Sequence, residues 1–519
     1  MRLLILFLII SLFPMLSSAQ HRWEVTFGNP DMWDGAVDVA NSYDEGILIC
    51  SHNDLHHVTV HKTDRNGDLL WEIVIKEDVN CAAIAEDKNG NRIIVGNKYV
   101  NAWIILLNSC NELVWCNEFF NGTKYSRSFF TDVLLLDNSI LAVGNFKDYD
   151  DNYSVDLLNF DYSGNLLWMK ELASPVSDTL LYMPLPVSID KVNNSYIISG
   201  DCYYAYPSNP NVGHLRSMFI KVDSLFNKEW FLPFGMSYYI GGTAWGTVPL
   251  DSVNFRGYGR YSFAPNVMNS ILMDFDADGN ELGYKGISNS SISPEVEDND
   301  LRDLQIINDS TYLCTAAVGD IPYELNPIGE WTMDTSGFVY NYQNHSGARC
   351  TLRPTEKTVD SGFVFLAKND NSNLDIMLYK LNPDLSQSEI DTNTYTYDSL
   401  CDDLPILSDT IYLDNCSIVT GIDEVLTPGE YYKYIKTIPV NIYPNPAASC
   451  IAFEMENTEH HSNIMLTCYD VNGKKVFEQL LPNGEIQIQT DVSKWQSGMY
   501  IVVANSSNGG SGGGKFVVK

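Results

Sequence analysis

TDRNGDLLWEI, residues 63–73, sets Asp64 seven residues ahead of Trp71 with an Asn-Gly pair between them. The register recurs without gaps in LNSCNELVWCN (107–117), FDYSGNLLWMK (160–170) and VDSLFNKEWFL (222–232), where Asn108, Asp161 and Asp223 precede Trp115, Trp168 and Trp230. FDADGNELGYK (275–285) keeps the turn at Asp276 and loses the tryptophan, and LNPDLSQSEID (381–391), with Asn382, is a worn copy. Asn-Gly or Ser-Gly between two apolar runs is a hairpin signal. Upstream of most copies lies a second unit, an apolar strand ending in glycine plus a polar residue: NGNRIIVGN, LDNSILAVGN and NNSYIISGD, with DEGILICS as its first member. The tryptophans are 44, 53 and 62 residues apart, blade-sized beside the roughly 40–50 residues of common propeller repeats.

A lone four-stranded sheet leaves a face wet and its edges open, so such units must stack, and circular closure removes the edges. Trp23 in HRWEVTFG matches the tryptophan strand of a repeat whose first half is missing, so it predicts the closing strand of the last blade. The reading is all-β: about seven blades over residues 21–390, with the copy between Leu301 and Trp331 the most divergent. Tandem β-sandwiches are the rival, and they leave the shared Asp-to-Trp register unexplained. The pattern resembles the propeller-type repeats of secreted bacterial proteins.

The chain has 519 residues and a formal charge of −34, from 32 Lys and Arg against 66 Asp and Glu. That charge repels phosphate backbones and anionic lipid, which excludes nucleic acid as a partner. Arg2, the apolar run Leu3–Leu16 and the small residues before Gln20 read as a signal peptide over 1–19. No later run is long enough to span a membrane, so the mature chain has no transmembrane segment. The cysteines number 11, an odd count, so one thiol has no partner within the chain. Cys50, Cys202 and Cys314 end or follow apolar strands and read as buried. Cys401 and Cys416 bracket a short polar loop and are expected to be bonded to each other, within a linker over 392–439. Cys450 and Cys468 are a weaker second pair.

Residues 440–519 restart as strands. Pro444 and Pro446 remove two ladder donors and place their strand at an edge; Asn472-Gly473 turns a hairpin, and a Gly-rich tip runs into the last strand. The pattern is a small Ig-like β-sandwich of about seven strands. Here the chain resembles the C-terminal sorting domain of the type IX secretion system of Bacteroidetes. Pro444, Asn445 and Pro446 match its opening, Asp470 and Gly473 its hairpin, Gly498 and Tyr500 its Gly-x-Tyr strand, and Lys515 to Lys519 its basic terminal strand. The resemblance implies transport across the outer membrane by the type IX machinery, and a secreted or cell-surface location.

Catalytic motifs are missing: no HExxH, GxSxG or Walker-type loop occurs. DFDADGNEL spaces Asp274, Asp276 and Asp278 like a calcium loop, but Lys285 stands where a bidentate glutamate belongs, so a hairpin turn is favoured and no metal or cofactor is assigned. Three long loops, 145–154, 201–217 and 260–270, follow equivalent points of successive blades and should share one face. Tyr203, Tyr204, Tyr206, Tyr261 and Phe263, with Asp148 and Asp150, are its candidate binding residues. Two functions follow: an exported protein binding a glycan, peptide or protein partner, or a secreted hydrolase, carbohydrate-active above all, with carboxylates in the propeller mouth. A pair of buried channel carboxylates with raised pKa would favour the hydrolase.

Overall fold

Each copy of the repeat closes one antiparallel sheet in the computed structural model of the chain. It describes residues 23–519 apart from 29–32, 120–124, 176, 207–208, 237–240, 265–266, 288–298, 320–325, 371–374, 402–407, 414–415, 420–439, 456–462, 471–473, 483–486 and 507–510. The expected signal peptide therefore lies outside the described residues. Two compact units result, one of residues 1–120 with 127–420 and one of 421–519 with 121–126.

In the first unit the strands sort into seven blades among the described residues. Blade 1 runs outward through Asp34–Asn41, Ile47–Asn53, Val58–Thr63 and Leu69–Ile75. Blades 2 to 5 repeat that order, from inner strands Val79–Glu86, Tyr125–Leu135, Leu185–Val192 and Gly241–Pro249 to outer strands Leu113–Phe119, Leu166–Ala173, Lys228–Pro233 and Glu281–Gly286. Blades 6 and 7 share one strand, Val339–Lys357, which pairs with Pro327–Asp334 through its first half and with Phe363–Asn369 through its second. Glu24–Phe27 then pairs antiparallel with Asp375–Leu381 and completes blade 7 from the other end of the chain. The closing strand expected at Trp23 is there.

The repeat has one physical job, to dock each blade on the next. The aspartate is an Asx turn: its Oδ1 accepts the N–H groups two and four residues on, at 2.8–3.0 Å in blades 1 to 6. The turn's fourth residue has positive φ in every blade, 86° at Gly67 and 85° at Gly164 but also 60° at Phe226 and 66° at Leu385. In blades 1, 3, 4 and 5 the preceding blade's outer tryptophan lies against that residue, whereas the outer strands of blades 5 and 6 carry no tryptophan to pass on. Trp115 donates Nε1–H to the Tyr162 carbonyl at 3.0 Å, and Trp230 to Ala277 at 2.9 Å. Trp23 lies against Gly67 and so closes the ring by the same contact. The divergent sixth copy is MDTSGFVYNY, with Asp334 in the turn; Trp331 sits on the third strand, wholly buried, and is not the repeat tryptophan.

At blade 2 a strap replaces the dock. Blade 2 has Cys110 and Asn111 in its turn, and Trp71 donates instead to Asp398 Oδ2 at 3.1 Å. Asp398 also takes Lys62 Nζ at 2.6 Å and Arg92 at 3.5 Å, all three residues buried. Ser408–Ile411 and Ser417–Val419 continue the strap as fifth strands, parallel to the outer strands of blades 1 and 2. The cysteine expectation is corrected here: Cys401 bonds Cys110 and Cys416 bonds Cys116, with Cα separations of 5.1 and 4.6 Å. A loop closed on itself would add no contact to the core, whereas these bonds fix the strap to blade 2. The other seven cysteines are free, Cys450 and Cys468 included, and Cys50, Cys202 and Cys314 are fully buried as expected.

The second unit is a sandwich. A three-stranded sheet (Val440–Tyr443, Cys450–Met455, Gln487–Asp491) faces a four-stranded one (Lys475–Pro482, Asn463–Asp470, Gly498–Ser506, Ser511–Val518) over Phe453, Leu466, Val502 and Phe516.

Candidate functional site

Register shifts in the inner strands leave extra residues beside Ala36/Asp38, Cys81/Ala83, Pro186/Ser188, Ala244/Gly246 and Leu301/Asp303, at one level of the ring. In blade 7 the irregularity widens to the residues between Cys350 and Thr355, and from it Arg353 crosses the axis. Its Nη1 donates to Asp132 Oδ1 of blade 3 at 2.6 Å, and its Nη2 to the Thr131 and Val187 carbonyls of blades 3 and 4 at 3.2 and 3.0 Å.

Carboxylates surround this crossbar. Burial pushes Asp38 up to about 6 and Asp303 up to about 6, both against the pull of Arg353. Asp190 is pushed up to about 7 by burial and the Asp132 charge, and Glu356 up to about 8 by burial with Asp303 and Asp38 nearby. Burial alone would weaken the Arg353 charge, but Asp132, Asp38 and Asp190 raise its pKa.

The condition that would favour a hydrolase is thus met in pKa, yet the oxygens are engaged. Asp38 accepts the Val39 N–H and, across the blade boundary, the Ile84 N–H at 2.8 Å. Asp132 does the same for Val133 and Ile189, and Asp190 takes the Thr247 N–H of blade 5. They are latches between neighbouring inner strands, the class of ion network that also perturbs pKa without chemistry. The carboxylates were missed in sequence reading because 66 acids hide a handful; the signal was Asp38, Asp132 and Asp303 at one level of their inner strands.

The loop residues divide. Residues 201–206 are strand rather than loop, because Ser195–Tyr206 and Asn209–Val222 extend as one hairpin. Tyr203 is exposed, but Tyr204 is half-buried against Phe231 with its hydroxyl donating to Asp178 Oδ2 at 2.9 Å. Tyr261 is buried in the core of blades 4 and 5, a correction to its expected exposure: strand alternation turns it inward. The side chains of Tyr206 and Phe263 lie outside the described residues. Asp148 accepts the Asp150 and Asn152 N–H groups in its turn, while Asp150 is exposed. In the calcium-like stretch Asp274 pairs with Arg256 at 2.6 Å and Asp276 holds its own turn. Among the described residues no three His, Cys, Asp or Glu side chains are set to hold a metal.

In the sandwich the sorting residues meet. Asn445 donates to the Lys515 carbonyl at 3.2 Å and accepts the Val517 N–H at 3.0 Å, so the Pro-Asn-Pro opening holds the last strand. Tyr500 pairs with Asp470 on one side and Phe516 on the other, and its hydroxyl donates to Gln496 at 2.7 Å. Gly498 pairs with Val518. Alternation buries Phe516 and Val518 and exposes Lys515, Val517 and Lys519 along the sheet edge. Gly473 lies outside the described residues.

These features define an all-β protein built as a closed propeller with a separate sandwich at its C-terminus. Residues 441–519 match the family model of the secretion system C-terminal sorting domain. The chain therefore carries a type IX sorting domain, and is exported to the cell surface or extracellular space through that machinery. No curated protein matches the chain. Solved structures it is similar to include a protein of unknown function from Bacteroides caccae, at 11% identity over 60% of this chain and 94% of that one, with a TM-score of 0.34. Drosophila Plexin A in complex with Semaphorin 1b aligns at 10% identity over 69% and 86%, with a TM-score of 0.40. Drosophila Semaphorin 1a, extracellular domains 1-2, aligns at 10% over 68% and 87%, with a TM-score of 0.41. Among the described residues no helix is long and apolar enough to cross a membrane.

Proposed function

We propose that the propeller is a recognition module, exported by its C-terminal domain to bind a glycan, peptide or protein outside the cell. One observation carries this reading: the axial acids are spent holding neighbouring blades together, and Arg353 lies across the axis between them. A glycosidase needs a carboxylic acid and a second carboxylate flanking an accessible bond. The face bearing the second-to-third-strand turns offers instead exposed Tyr203 and Asp150. The raised pKa values of Asp190 and Glu356 favour the hydrolase alternative, and their partial exposure keeps it a second reading.

Peptide and glycan arrays probed with the full chain, followed by turnover assays on whatever binds, separate the two. Retention without turnover is expected; a substrate cleaved by the native chain and spared by Glu356→Gln would establish the hydrolase. Within the face, Tyr203→Ala should change stability by no more than about 0.5 kcal/mol, as exposed positions do. Tyr204→Ala should cost roughly 2–4 kcal/mol, from lost packing on Phe231 and a lost hydroxyl bond. Equal melting points for the two variants would refute that division.

A further inference from the structure

The turns between second and third strands show more than the single tyrosine. Leu55 in blade 1, Tyr99 in blade 2 and Tyr149 in blade 3 are each more than half exposed, and Val100 and Tyr203 nearly half. All lie on one face of the ring, because every such turn leaves its blade on the same side. The tips of blades 1 and 2 are also tied to the next blade, the His56 carbonyl accepting the Val79 N–H at 2.9 Å and the Val100 carbonyl the Ser128 N–H at 2.7 Å, while the Tyr203 carbonyl accepts the Tyr182 N–H at 2.8 Å from the segment that leads out of blade 3. The apolar tips therefore form a continuous arc over blades 1 to 4. Backbone holds them in place: His56, Tyr99 and Asp151 adopt φ of 55°, 52° and 64°, and Asn53 and Asp148 accept the N–H groups of their own turns.

The arc is acidic. Lys98 is held by Glu77 and Glu118 at 3.8 and 3.6 Å, and Lys147 by Asp151 at 2.8 Å. Asp54, Asp78 and Asp150 have no cation within ion-pair distance among the described residues. Among the described residues, exposed Lys76 and Arg127 leave these turns net negative, in a chain of formal charge −34.

We propose that this arc is a docking surface for a protein partner that presents lysine or arginine beside apolar side chains. The inference rests on the binding reading above and names its site and partner class. Sugars and small molecules are held in concave pockets with converging polar groups. Here the apolar groups are convex, on turn tips of blades 1 to 3 with Tyr203 on the blade 4 hairpin beside them, two of them aliphatic, and rigid exposed tyrosines on a broad surface suit a protein interface. Uncompensated carboxylates select a basic surface and speed its approach.

The test uses the full chain on an array of peptides of net positive, zero and net negative charge, each set with and without aliphatic residues, beside a glycan array. Cationic peptides containing aliphatic residues should be retained, with affinity falling as salt rises. Leu55→Ser/Tyr99→Ser/Tyr149→Ser should weaken that binding by about tenfold or more, a change of about 1.4 kcal/mol, while melting stays put. Asp54→Asn/Asp150→Asn, which preserves size, should reduce the salt dependence and guards against misfolding of the triple variant. Equal binding by native chain and variants overturns the location. Preference for anionic peptides or glycans overturns the partner class and leaves the binding reading standing. Retention of nothing on either array overturns both.

Discussion

At the scale of single residues, the propeller is a chain of tryptophan docks. A Cβ added to Gly164 would lie 2.8 Å from the Trp115 ring, and the position has φ of 85°. Both facts oppose a side chain, one by overlap and one by backbone strain. Gly164→Ala is therefore expected to lower stability by about 1–3 kcal/mol, read as a lower denaturant midpoint with unchanged slope. No change would mean that the ring does not rest on this turn. The aspartate and tryptophan of the dock were legible in sequence because both side chains serve backbone geometry that repeats. The turn's fourth residue was less so: Asn111, Phe226 and Leu385 hold the positive φ that Gly67, Gly164 and Gly279 hold elsewhere. Only the phase of the repeat identifies them.

Among the elements, the strap most exceeds what sequence could give. Cys401 and Cys416 were legible as bonded cysteines, but their partners, Cys110 and Cys116, are 291 and 300 residues away. Spacing favours the near pairing, and only the missing dock in blade 2 pointed elsewhere. In the chain-entropy model the first long closure is worth roughly 6 kcal/mol and the second, which closes only the short path from Cys116 through the first bond to Cys416, roughly 3. Peptide mapping under non-reducing conditions should recover Cys110 linked to Cys401 and Cys116 linked to Cys416; a Cys401–Cys416 peptide would overturn the strap. Asp398→Ala should be more damaging than a surface change, by about 3–5 kcal/mol, since it leaves Lys62 and Arg92 buried with a partner lost. The strand shared by blades 6 and 7 hid their boundary for a related reason: no turn separates them, so no turn residue marks the place.

On the scale of the whole molecule, the axis and the terminal domain divide the work, one holding the ring together and the other exporting it. Asp38, Asp190, Asp303 and Glu356 titrate above ordinary carboxylates, so between about pH 4 and about pH 8 the folded chain binds more protons than the unfolded chain. Their contribution is complete on the acid side and is lost as pH rises through 6 to 8. The melting temperature at fixed ionic strength should accordingly fall from about pH 5 to about pH 8, and Glu356→Gln should flatten the alkaline part. A curve rising over that range would contradict the assignment of the latches. None of this was legible in sequence, because a carboxylate's burial depends on a ring that only closure creates. The sorting domain was legible almost entirely, since its motif residues bond to each other within 80 residues: Asn445 to Lys515 and Val517, Tyr500 beside Asp470 and Phe516. The central claim, a self-sufficient propeller delivered by a separate address, is tested most directly by expressing the chain ended at Thr420 in the native cell and locating it by fractionation. The expected result is a folded propeller, with both strap disulfides, retained inside the outer membrane. The same truncated chain at normal levels on the surface or in the medium would contradict it.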